Sequence, residues 1–216
     1  MNERPALGLI VIAGFLGTIF DLMSSSLPPP PVLGFVAESF LTIERSTVSI
    51  DDGEDNGELT AELDVEGLGI PTNETEEAFG YGILTDDGDD ALFVAHTHPG
   101  VLDSEAQRFI EDPVWHNHFL KLDNIEQCGE DQGIVDITWQ SPGEIGIDDN
   151  IARISGVPTS GFEGWHSMNG DSISITLGEV ISDVISFKLY PVFGEGGLEA
   201  VCVTNIRSAE EVVNLN

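Results

Sequence analysis

Two His-x-His dyads, His96-Thr97-His98 and His116-Asn117-His118, hold four of the five histidines in the chain. Imidazole is the commonest side-chain ligand for transition ions, and both dyads lie in β-patterned sequence. On a strand, residues i and i+2 point to one face, so each dyad aims two rings the same way. The face that carries His96 and His98 also carries Leu92 and Val94, and the face of His116 and His118 also carries Val114 and Leu120. Company of that kind turns the rings toward an interior or a cavity. Antiparallel pairing that sets His98 opposite His116, and His96 opposite His118, would separate Cβ atoms by about 5 Å across and about 6.7 Å along the strands. Three such rings can reach one ion at about 2.0–2.1 Å. The bland alternative is a pair of exposed, solvated dyads without a role.

His166, in Gly164-Trp165-His166-Ser167-Met168, is the fifth candidate ligand, on a glycine-flanked loop that could swing over a site built elsewhere. Met168 beside it would matter only for copper. Nitrogen ligation suits Cu or Zn, one ion in one site. The sequence does not offer a blue-copper centre, because neither Cys128 nor Cys202 is followed by the histidine and methionine such a centre needs. Closed ligation would make the site one of metal holding or delivery, the expectation adopted first. An open position beside a pocket would instead let zinc generate hydroxide for a hydratase or hydrolase reaction, a metal-dependent lyase or hydrolase. Glu105, Glu111 or Asp112, on the 99–113 connection, would then orient the water or a histidine. The third reading is a structural or adhesive cell-surface module with incidental histidines.

Asp52-Gly53-Glu54-Asp55-Asn56-Gly57-Glu58 opens like a calcium loop, but Leu63 stands where a bidentate Glu belongs. It reads as an acidic hairpin turn, with calcium a subordinate expectation. Asp86-Asp87-Gly88-Asp89-Asp90 reads the same way, and Asn73-Glu74-Thr75 is a glycosylation sequon. The chain has no phosphate-binding glycine loop and no nucleophile elbow.

The elements that must position the dyads are short strands. Candidates span 35–43, 58–65, 78–84, 91–98, 114–122, 133–140, 150–157, 171–177, 183–190 and 198–206, several alternating apolar with polar. Asn56-Gly57, Asp87-Gly88, Pro142-Gly143 and Asn169-Gly170 supply turn chemistry between them. About nine or ten short strands without long helices predict an all-β fold, an antiparallel β-sandwich or barrel. Two helical stretches are expected, at 104–111, where Ser104 to Gln107 reads as a capping box, and near 208–213.

Residues 6–20 carry no charge and follow Arg4. Fifteen helical residues span about 22 Å, short of the ~30 Å hydrocarbon core. Residues 1–26 therefore read as a hydrophobic leader helix, a signal peptide or membrane anchor. Residues 27–33 form a proline-rich linker, and 34–216 a single acidic domain on the extracytoplasmic side, secreted or anchored. In that setting Cys128 and Cys202 are expected to form a disulfide.

The 216 residues hold 39 acidic against 7 basic side chains, a net charge of −32. Such a surface repels nucleic-acid phosphates and anionic headgroups, which excludes charge-driven binding to either. It also repels itself. Added salt screens that repulsion, so the melting temperature should rise between low and molar NaCl; a flat response would discount self-repulsion.

Overall fold

A computed structural model describes residues 39–51, 57–67, 69–71, 78–85, 92–98, 100–109, 114–159, 162–167, 170–178 and 180–215. All fall within one compact unit, Val36–Asn216. The expected leader and proline linker, the core of both acidic turns, the sequon, Glu111, Asp112 and Met168 lie outside the described residues.

The described residues form thirteen strands: β1 (Ile43–Asp51), β2 (Glu58–Val65), β3 (Ala78–Thr85), β4 (Leu92–Thr97), β5 (His116–Asn124), β6 (Gln132–Ile137), β7 (Glu144–Asp148), β8 (Ile151–Pro158), β9 (Phe162–Trp165), β10 (Ser172–Ile175), β11 (Ile181–Gly194), β12 (Gly197–Ser208) and β13 (Val212–Asn214). Six of them close a barrel in the order β11-β12-β6-β5-β4-β3. A five-stranded sheet runs β13-β1-β2-β8-β7, and β9 pairs with β10. Every ladder is antiparallel except β1 with β13.

The alternation of side chains along β3, β4 and β5 creates two cores. Phe79, Tyr81, Ile83, Phe93, Ala95 and Phe119 point out of the barrel and pack with Val48, Leu59, Leu63, Ala152 and Ile154 of the five-stranded sheet. Val94, Leu120, Ile137, Ile185, Phe187 and Val203 point inward and fill the barrel. The expectation of a sandwich or a barrel thus resolves into a closed barrel with a sheet packed on one side. Each of the larger side chains, fully buried, contributes about 1.5–3 kcal/mol.

The expected helix at 104–111 is absent; the described part of it, 104–109, forms turns. The Ala106 and Gln107 N–H groups keep only turn bonds to Ser104, and other contacts pull the segment out of helical register. The Glu105 N–H donates to the Trp139 carbonyl at 3.1 Å, and the Gln107 side chain bonds Asp103 and Val101. The expected helix near 208–213 is absent too. Six residues cannot sustain one, and the edge of β1 offers a ladder to β13 instead, beginning with the Ser46 N–H on the Glu211 carbonyl at 2.8 Å. Within the expected strand 35–43, Ser39–Leu41 forms a 3-10 turn and the strand starts at Ile43.

Cys128 and Cys202 form the expected disulfide, tying the turn after β5 to β12 across 74 residues. Gly133 lies opposite Cys202 in the ladder, where an added Cβ would come 3.1 Å from the Cys128 sulfur. In the chain-entropy account, closing a loop of that length stabilises the fold by about 4 kcal/mol. Reduction should therefore lower the urea midpoint while the strand signal in circular dichroism persists below it. No change in midpoint would show that the bridge does not constrain the unfolded chain.

Candidate metal centre

The rings are set by strand register. β4 pairs with β5 so that His96 faces His116 and Val94 faces His118. That is two residues from the expected register, and His98 lies just past the end of the ladder. The slip keeps all four rings inside the barrel, because a shift of two preserves the face. On the opposite face Trp115 stacks on Tyr81, centroids 5.8 Å apart, and donates Nε1–H to the Pro71 carbonyl at 3.1 Å. This anchors the chain immediately before His116.

Gly80, on β3, lies directly across from His96. An added Cβ there would come 2.6 Å from His96 Cβ and 3.0 Å from Phe187 Cζ. The missing side chain is what lets an imidazole fit between the strands. The rings then gather tightly: His96 lies 4.4 Å from His116, 4.9 Å from His118 and 5.0 Å from His98 between centroids.

Asp103 joins them, a residue that sequence reasoning passed over in favour of other acids on the same connection. Its carboxylate lies 3.1 Å from His98 Nε2, 3.3 Å from His116 Nε2 and 3.7 Å from His118 Nε2. The loop is stapled to hold it there. The Asp103 N–H donates to Gln107 Oε1 at 3.1 Å, and Gln107 Nε2 donates to the Val101 carbonyl at 3.2 Å. The five residues of the group are no more than 6% exposed. Glu105 is turned away, its Oε1 accepting from the Ser141 N–H at 3.3 Å. The one sequence signal for Asp103 was its place before Ser104 and Gln107, a turn close behind His98.

The tautomers are dictated by the backbone. His116 Nδ1 donates to the Val114 carbonyl at 2.7 Å, and His118 Nδ1 donates to the Thr138 carbonyl. In the neutral rings Nε2 then carries a lone pair. Both of these lone pairs face Asp103 oxygens, acceptor against acceptor. His96 Nδ1, His98 Nδ1, His116 Nε2 and His118 Nε2 are all buried without a hydrogen-bond partner, each a costly state in a protein interior.

A cation placed between them, a proton or a metal ion, relieves this arrangement. Burial, together with the neighbouring His116, His118 and His98 rings, holds His96 neutral well below the usual imidazole range. Burial likewise lowers His116, against an opposing pull from Asp103. For Asp103 burial alone would raise the carboxyl, but the His116, His118 and His98 rings that face it outweigh this and hold it well below the usual carboxylate range. A carboxylate beside the neutral His96 and His116 imidazoles is the protonation state that metal binding requires. His96, His98, Asp103 and His116 each offer one ligand atom, all within 4.8 Å of one another. Bonds of about 2.0–2.1 Å to a tetrahedral ion set ligand atoms about 3.3–3.4 Å apart, close to the Asp103 contacts. The buried group can therefore hold a metal ion.

A cavity of about 270 Å³ adjoins the group, lined by His96, His98 and Asp103 together with aliphatic side chains of β6, β11 and β12. His166 does not join the ligand group. It forms an isolated bridge with Thr138, and its Nε2 donates to the Val135 carbonyl at 3.3 Å, 3.6 Å from Asp136. It lines the same cavity from the wall. No family model, curated protein or solved structure matches the chain.

The depressed His96 has a consequence for stability. The unfolded chain takes up a proton near pH 6.5 while the folded, metal-free barrel does not, so stability falls as pH drops below that value. The limiting slope is about 1.4 kcal/mol per pH unit for each such histidine. Chelator-treated protein should lose more stability between pH 6.5 and 5 than a His96→Leu variant does; Asp103, ionised throughout that window, contributes nothing to the difference. Parallel curves would contradict a neutral buried His96.

Proposed function

We propose that this barrel holds one transition-metal ion through His96, His98, His116 and Asp103, with His118 beside them, and presents an exchangeable coordination position to the cavity. Three of these four residues line that cavity, and this observation carries the proposal. A carrier that loads and unloads metal is better served by exposed ligands. Here the described ligands are buried, which favours a retained centre over holding and delivery. A Zn(II) ion so placed would act as a Lewis acid and lower the pKa of a bound water toward ~7, the chemistry of a hydratase or hydrolase. Cu(II) is the second reading of the ion, since it outcompetes Zn(II) at nitrogen sites. The mixed imidazole–carboxylate set, without a thiolate, fits either.

The disulfide and the uncharged stretch at residues 6–20 both support an exported protein, since bridges persist in oxidising compartments. The acidic composition supports a well-solvated domain that does not bind nucleic acid or anionic membranes through charge, with the metal ion as its ligand.

Elemental analysis of untagged protein should find about one ion per chain. A His98→Ala, His116→Ala double variant should fold yet lose the ion, and Asp103→Asn should bind it more weakly by at least tenfold. Adding metal to the stripped wild type at 100-fold over Kd should stabilise it by about 2.7 kcal/mol. Unchanged metal content in the double variant would refute the assignment.

A further inference from the structure

The cavity that meets the metal-binding group has a chemistry of its own, and it narrows what can enter. Its walls are mostly aliphatic, with Ile134, Ile137, Leu189, Leu198 and Val201 prominent. The lining includes no lysine or arginine among the described residues, and its acids are Asp103 and Glu199. Asp103 is committed to the histidines, whereas Glu199 is an exposed residue of β12 close to the β11–β12 turn. An anion entering the cavity, on a chain of net charge −32, meets repulsion and finds no lysine or arginine along the walls, where His166 gives its Nε2–H to the Val135 carbonyl. A cation would have to leave water for an apolar channel that ends at another cation. An apolar cavity of about 150 Å³ suffices for benzene, so about 270 Å³ accommodates a single ring with a short substituent, or an aliphatic body of that size.

We infer that the barrel binds a small uncharged molecule whose apolar body fills this cavity and whose single oxygen- or nitrogen-donor head reaches the ion at its inner end. The inference rests on the metal centre proposed above and adds the class of ligand to it. The body supplies affinity through buried apolar area, at about 25 cal/mol per Å². The head supplies orientation, because the ion is the one strongly polar feature at the buried end.

The test uses the full chain loaded with Co(II), whose visible spectrum reports on coordination. Benzamide carries an uncharged one-oxygen head and a ring body, acetamide the same head almost without a body, and 4-carboxybenzamide adds a charge to the body. The first should perturb the cobalt bands and bind at least tenfold more tightly than either of the others. Val201→Phe, which fills the cavity, should erase the advantage over acetamide at unchanged cobalt content. Leu198→Phe gives the same reading if Val201→Phe fails to fold. Comparable affinities for all three compounds, or an advantage that survives in a folded, cobalt-loaded variant, would overturn the inference while leaving the metal centre standing. Failure of the wild type to take up cobalt or any other transition ion would overturn both.

Discussion

A carboxylate enclosed by imidazoles inside a barrel is unstable without positive charge beside it. Asp103 is held ionised and almost wholly buried, and the His116 and His118 nitrogens that face it at 3.3 and 3.7 Å are set by backbone carbonyls on the far side of their rings. Isolated charges taken from water cost several kcal/mol even after relaxation. The surrounding structure makes sense as the means of creating this demand and holding it in one geometry: Gly80 vacates the space for His96, Gln107 fixes the loop, and Thr138 orients His118.

The barrel supplies the rigidity. β3, β4 and β5 are buried on both faces, one against the five-stranded sheet and one against the barrel interior. A strand so clamped cannot change face without exposing a whole row of apolar side chains. The histidines therefore occupy a polar layer held above an aliphatic one, with Val94 and Leu120 beneath. The same closure removes free edges on the six barrel strands. It leaves the barrel's mouth as the natural place for a ligand.

Much of this was readable from residue order. Strand β2 matches its expected span, 58–65, and the cores of β3, β4, β5, β6, β8, β10, β11 and β12 all fall within expected strands. The strands that escaped notice have weak alternation. β1 opens with Glu44-Arg45-Ser46-Thr47 and is bulged after Ile43, which hides its period. Gly146 in β7 and Gly164 in β9 resemble turn residues, yet both strands are supported by a neighbour's ladder. The short β13 has no pattern of its own and exists because β1 has an edge to offer it. The Ser104–Gln107 segment carries a helix-start pattern that its tertiary partners override.

Local order alone was enough to put His96 with His98, and His116 with His118, on common faces, because the two-residue period of a strand is a property of the backbone and needs no partner. It was also enough to show the scarcity of basic residues and the single pair of cysteines available for a bridge. Which histidine faces which, the arrival of Asp103 among them, the exclusion of His166 and the cavity above the group were settled only by folding. Each depends on contacts between segments whose relative register is chosen by packing on both sides of the sheet, and no short stretch of chain contains that information.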